Sequence, residues 1–306
     1  APNGVALPEG TMLTQTDLAV VLGEIRTRGG GDLYFGDLAR QLAEASAALG
    51  GAVGTDDLQR YLPEWKPSSG LRFGDLIFHT NPSPPSGGLL AGTMWAMLLD
   101  EGRFRETGAA ARTHLLSEVS ARAFGNLGAT ADGGTQISAF RAHTLMSGFD
   151  PAQHGRLPAG GPDLSGWAGP GDDGGTGFAV IDRRGSAVAC GLSMNGAFGI
   201  GRLLPGLGFV PAAAVPEGTR SWTLAGSDFL VSAIVVNNFS GEIIFAGAAS
   251  GGAAAPAALV QSVLPTILNG SPLAENVAAP RIFQFANPDV TFVEAGYAPE
   301  ALAAMQ

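Results

Sequence analysis

The amino-acid sequence predicts an α+β fold in which antiparallel sheet is covered by helices. Three observations carry that prediction. Apolar residues recur at helical spacing through the first half, two pairs of alternating apolar runs flank short turn sequences in the second half, and an apolar helical pattern follows the second pair. With 306 residues, 45% hydrophobic and 14% charged, the chain can bury a sizeable core. The expected organisation is one domain over 1–306: a helical part (1–149) with one extended segment, a Gly/Pro-rich surface loop (150–176), and hairpin sheets with a packing helix (177–306).

In chain order, Leu18, Val21, Leu22 and Ile25 repeat at helical spacing behind Thr16, which is expected to be the N-cap. Leu38, Leu42, Ala45 and Leu49 repeat likewise until Gly50-Gly51 ends the run. TDDLQRY from Thr55 reads as a short helix, and Leu71–Thr80 reads as extended. A Pro/Gly loop follows, then a buried helix over Leu89–Leu99 and another over Thr107–Phe124. Asp150–Thr176 is rich in Gly, Pro and Asp without periodicity, hence the surface-loop reading. Phe178–Asp182 and Ser186–Met194 flank Arg183-Arg184-Gly185 as one hairpin, and Phe229–Val236 and Glu242–Gly247 flank NNFSG as a second. Ala254–Leu268 is the packing helix.

Composition excludes several function classes. The net charge is -10, and the seventeen basic residues, of which Lys66 is the single Lys, form no cluster suited to phosphate backbones, so nucleic acid is not an expected partner. The longest apolar run, Ala253–Leu268, is broken by Pro256 and Pro265 and does not read as a membrane span. The sequence opens Ala-Pro-Asn-Gly without Met, which fits a mature chain after signal-peptide removal, so a periplasmic or otherwise exported location is expected. Cys190, in an apolar strand-like run, reads as a small buried hydrophobe. His79, His114, His143 and His154 lack metal-ligand spacing, and Asp172-Asp173 beside Gly174-Gly175 lacks the spaced oxygens of a Ca²⁺ loop. No metal and no cofactor are expected. Gly191–Asn195 offers only an incomplete G-x-S-x-G elbow, in a strand-like setting.

Four stretches in order and in register, GGAVGTDDLQRY (50–61), PSPPSGG (82–88), FAVIDRRGSAV with Asn195, and AGAASGG…AAPR (246–281), resemble the gamma-glutamyltranspeptidases. VTFVEAGYAPEALAAM is similar to that family's closing strand and helix. The resemblance implies an N-terminal-nucleophile (Ntn) hydrolase fold, an αββα sandwich. It also implies self-cleavage before a Thr whose own amine acts as general base. In the matching register the nucleophile position is Gly175, with Thr176 one place later. The strand Thr that assists cleavage is matched by Gly191, and Ser193 and Asn195 match polar substrate-holding positions. The segment Gly206–Pro216, matched to the amine-gripping acidic stretch, has no carboxylate. Asp228-Phe229 replaces a carboxylate-binding Ser pair, and Gly251 and Gly252 match the oxyanion donors. The family's upstream portion, with its glutamyl-clamping Arg, has no counterpart from Gly4 onward, so a truncated form is expected.

The resemblance therefore implies a catalytically degenerate relative. It is expected to remain a single unprocessed chain and to serve as a non-catalytic binding or accessory subunit of an envelope or membrane-associated complex. Loss of the upstream portion also predicts an apolar face covered by a protein partner or by self-association. The alternative is an active gamma-glutamyl or amide Ntn-hydrolase or transferase that uses Thr176 as a shifted nucleophile, with Gly251 and Gly252 as its oxyanion hole.

Overall fold

The computed structural model describes residues 7–127, 137–150, 175–214 and 226–303. Contacts within the chain group them into two compact units, where the sequence reading has one domain with internal parts. The first combines residues 1–65 with a returning segment, 198–211. Its helices are α1 (Thr16–Arg28), α2 (Asp32–Phe35), α3 (Asp37–Ala48) and α4 (Thr55–Arg60). Val21, Leu38 and Ala45 supply its buried side chains together with Leu204 and Leu207, with Ile25, Leu42 and Leu49 packed against them, whereas Leu22, read as part of the same stripe, is 56% exposed. Local caps set the helix starts. Leu38 donates its N–H to the Asp32 carboxylate at 3.2 Å, and the Gly54 N–H bonds the Asp57 carboxylate at 2.9 Å. Thr16 is the first helical residue and Gln15 takes the cap position without a side-chain bond, which corrects the expected Thr16 cap by one residue.

The second unit holds residues 66–197 and 212–306. The extended segment at 71–80 is in fact a hairpin, β1 (Ser69–Phe73) and β2 (Leu76–Thr80), turning at Gly74 with φ +54°. The sequence reading ran the two strands together, passing over Gly74-Asp75 as the turn between them. Next come α5 (Gly87–Leu99), α6 (Arg103–Glu106), α7 (Ala109–Leu127) and α8 (Ala139–Met146). The strands β3 (Gly175–Ile181), β4 (Ala187–Ser193), β5 (Val231–Asn237) and β6 (Ile243–Ala249) follow. The chain continues through α9 (Ala255–Asn269), α10 (Leu273–Ala278), β7 (Ile282–Gln284), β8 (Thr291–Val293) and α11 (Pro299–Ala303).

A four-stranded antiparallel sheet in the order β1-β2-β5-β6 carries the main core. On it lie α5, buried almost all round, and α9, which accommodates Pro265 within its length. Trp95 of α5 stacks on Phe78 of β2 with centroids 4.5 Å apart, and Phe124 of α7 meets Phe229 and Phe285 edge-on. The PSPPSGG stretch starts α5. A side chain at Gly87 would collide with the Phe229 and Leu230 carbonyl oxygens, and one at Gly88 with the Asn81 carbonyl, so this helix start sits directly on backbone. On the exposed-to-core boundary of α7, Arg122 pairs with Glu118 at 2.8 Å, both nearly buried, with His114 one turn before.

The β3–β4 hairpin lies against β6 and β5 as the expected facing sheet. Its inner face is made of small residues: Cβ atoms placed at Gly175 and Gly177 meet Ser250 and Ala248, and one at Gly191 meets Leu230. By strand alternation Thr176, Phe178 and Val180 point the other way, opposite Leu192, Cys190 and Val188. That outer face stays open among the described residues, with Phe178 50%, Val180 58%, Val188 55% and Leu192 50% exposed. Helices, four-stranded sheet and hairpin make three layers of the expected sandwich. The Asp172-Asp173 turn and His154 lie outside the described residues.

Candidate functional site

The start of β3, the end of β4 and the turn after β6 converge on one small polar region. Gly175 pairs across the hairpin with Ser193, and both belong to the inner face. A Cβ built on Gly175 would lie 3.0 Å from the Leu192 carbonyl oxygen, 3.0 Å from Ser250 Cβ and 3.6 Å from Ser250 Oγ. The space a side chain at 175 would need is therefore partly taken by Ser250. Directly after Ser250, Gly251 turns with φ +127° and Gly252 with φ +60°, leading through a 3₁₀ turn into α9. These conformations suit glycine and leave the backbone N–H groups at the head of a 15-residue helix.

The polar wall is tied down by the backbone. Ser193 Oγ accepts the Asn195 N–H at 2.9 Å, and Asn195, in the left-handed region at φ +55°, donates its side-chain amide to the Ala213 carbonyl at 3.0 Å. Met194 and Ala213 are joined by a further backbone bond of 2.8 Å. One donor group of Asn195 is thereby committed to fixing the exit of β4. None of the side chains gathered here, Ser193, Asn195 and Ser250, is a base at neutral pH.

The remaining positions read from the sequence are dispersed. Thr176 pairs with Leu192 and lies on the outer face of the hairpin, opposite in direction to Gly175, because adjacent residues of a strand alternate. Gly191 lies mid-strand opposite Gly177, where a Cβ would make ordinary contact with Leu230. Phe229 is fully buried in the core, while Asp228 is half-buried in the 3₁₀ turn before β5. Leu207, within the carboxylate-free segment, belongs to the core of the first unit, and Pro216 lies outside the described residues. Cys190 is half-buried on the outer face beside Phe178. Ser250 is the residue that sequence reasoning passed over. Its signal is its place immediately before Gly251-Gly252.

Comparisons with known proteins identify the family and the fold. The gamma-glutamyltranspeptidase family model matches residues 1–213. A glutathione hydrolase proenzyme of Bacillus subtilis subsp. natto is 34% identical over 104 residues, 32% of this chain and 17% of that protein. An acylase ACY 1 proenzyme of Pseudomonas sp. strain SE83 is 27% identical over 296 residues, 92% of this chain and 52% of that protein. The crystal structure of a cephalosporin acylase from Bacillus halodurans superposes with a TM-score of 0.73 at 19% identity, covering 99% of this chain and 56% of that one. The chain spans about half the length of the relatives it matches along most of its own length. It belongs to the gamma-glutamyltranspeptidase family, and its fold is that of the Ntn-hydrolase acylases.

Proposed function

We propose that this member of the gamma-glutamyltranspeptidase family is a non-catalytic relative, an exported binding or accessory subunit of an envelope or membrane-associated assembly. The observation that carries the reading is the register of β3. The inner-face position that lies against Ser250, the residue before the Gly251-Gly252 turn, is Gly175, which has no hydroxyl for the N-to-O acyl shift or for attack on an amide. Backbone donors without nucleophile or base leave only residual catalysis. The open outer face of the same hairpin supports a binding role, since side chains such as Phe178 and Leu192 are seldom left uncovered together on a free-standing protein.

A second reading is held by the names of the relatives, glutathione hydrolase and acylase. On it the chain is an active gamma-glutamyl or amide hydrolase with Thr176 as nucleophile and Gly251 and Gly252 as oxyanion donors. One experiment separates the two. Intact-mass measurement of the purified chain should give one species near 31.0 kDa with no turnover of a gamma-glutamyl anilide. Fragments with a new N-terminus at Thr176, together with turnover abolished by Thr176→Ala, would establish the second reading.

A further inference from the structure

A cluster remote from the hairpin, at the turn between α5 and α6, gathers metal-ligating atoms. Asp100 ends α5, Glu101 follows in the left-handed region at φ +52°, Arg103 begins α6, and His143 reaches the same spot from α8. Arg103 holds one oxygen of each carboxylate. Its Nε and Nη2 lie 3.2 Å from Asp100 Oδ2, and its Nη2 lies 2.7 Å from Glu101 Oε2. The other oxygen of each acid turns toward His143 Nδ1, Asp100 Oδ1 at 3.1 Å and Glu101 Oε1 at 4.0 Å. These three atoms, one imidazole nitrogen and two carboxylate oxygens, all lie within 4.8 Å of one another.

We propose that Asp100, Glu101 and His143 form a surface site for a divalent transition-metal cation of the Zn²⁺ type. Two donors bound tetrahedrally to Zn²⁺ at ordinary bond lengths are about 3.4 Å apart, so the observed separations need only small side-chain rotations to close on an ion. Mixed imidazole and carboxylate donors suit Zn²⁺ and its neighbours better than Mg²⁺ or Ca²⁺, which take all-oxygen sets. Arg103 acts from behind the donor atoms. It fixes the carboxylates by their far oxygens, as outer-shell partners of metal ligands do, and leaves the cluster about one negative charge for the cation. His143 is 56% exposed, so water has access to complete the coordination, and the ion would fasten α8 to the α5–α6 turn. Sequence spacing hides the site because its two parts lie about forty residues apart.

The test is calorimetric titration of the 306-residue chain with Zn²⁺ at pH 7.5, with Co²⁺ absorption as a spectroscopic readout of nitrogen–oxygen coordination. One equivalent should bind, His143→Ala and Glu101→Gln should each weaken binding at least about tenfold, and His79→Ala should leave it unchanged. Absence of binding by the unsubstituted chain, or binding that survives His143→Ala, would overturn the assignment. Both substituted side chains are largely exposed, and a circular dichroism spectrum matching that of the parent chain excludes misfolding as the cause of any loss.

Discussion

Restoring the hydroxyl at the head of β3 is the sharpest perturbation the site allows. In Gly175→Thr the β-branched side chain suits an extended strand and contributes about 0.5–1 kcal/mol over glycine. Against that, the new Cβ lies 3.0 Å from both the Leu192 carbonyl oxygen and Ser250 Cβ, tight enough that both must give by a few tenths of an ångström, and such overpacking costs about 1–3 kcal/mol. The expected outcome is a net loss of about 1 kcal/mol, read as a lower urea midpoint at unchanged slope. Ser250→Gly removes the side-chain half of the conflict and leaves the carbonyl half. The two substitutions should therefore couple favourably by about 0.5–1 kcal/mol in a double-mutant cycle. Strict additivity would show that Ser250 does not occupy the space. Self-cleavage of Gly175→Thr alone, seen as a new N-terminus at residue 175, would refute the reasoning more deeply, because one hydroxyl would then have been all the site lacked.

Gly87→Ala drives a methyl into the Phe229 and Leu230 carbonyls and should cost about 3 kcal/mol or more in urea unfolding, far beyond an ordinary Gly→Ala change. Light scattering of the natively purified protein should show a stable partner, a second copy or another protein, across an interface of at least about 1,000 Å², and Phe178→Asp should abolish it. At the hairpin tip the Asp182 carboxylate accepts the Ser186 N–H at 2.9 Å and the Arg184 N–H at 2.8 Å, which hold its pKa below the usual aspartate range. A depressed folded value means that its contribution is present above the ordinary aspartate pKa of about 3.9 and is lost as pH falls through the lower folded value. Amide exchange at Arg184 and Ser186 should accelerate over that acid window, and should lose this pH dependence in Asp182→Asn.

Much of the fold was legible because periodicity and turn chemistry are local. The helix over Leu89–Leu99 announced itself as a mostly apolar run with Thr93 its one polar side chain, and its observed span, Gly87–Leu99, adds only the two glycines that press against backbone. The β3–β4 hairpin was readable from Arg183-Arg184-Gly185 between alternating runs, and Gly185 does adopt the positive φ that such a turn requires. What the sequence concealed is long-range. The return of 198–211 to the first 65 residues rests on Leu204 and Leu207, two leucines in a glycine-rich stretch with no period to read. The joining of β1–β2 to β5 is likewise a pairing between segments about 150 residues apart, fixed partly by Asn81, whose side-chain oxygen accepts the Ser232 N–H at 3.0 Å. At the site, residue matching located Gly175, Ser193 and Gly251, but direction came only with register, and Ser250 became visible once a side chain at 175 had to be placed.

The hairpin gives the two readings of this protein a common physical axis. Toward the start of β3 its inner face is Gly175, Gly177, Ala179, Ala189, Gly191 and Ser193, small enough for close approach to β6, with the exposed Ile181 beyond them at the hairpin tip; its outer face is Thr176, Phe178, Val180, Val188, Cys190 and Leu192, wholly uncharged. A strand cannot exchange these faces without shifting its register by one residue, and such a shift would drive Phe178 and Val180 into β6, where a methyl at Gly177 already comes within 2.9 Å of Ala248. Thr176 therefore reaches the Gly251-Gly252 turn only if the first residues of β3 leave the ladder, giving up their pairing with Leu192 and Ser193. The same small inner residues that let the sheets pack closely thus oppose the shifted-nucleophile chemistry. The apolar outer residues gain nothing from it, and Phe178→Asp tests whether that face carries the proposed binding role.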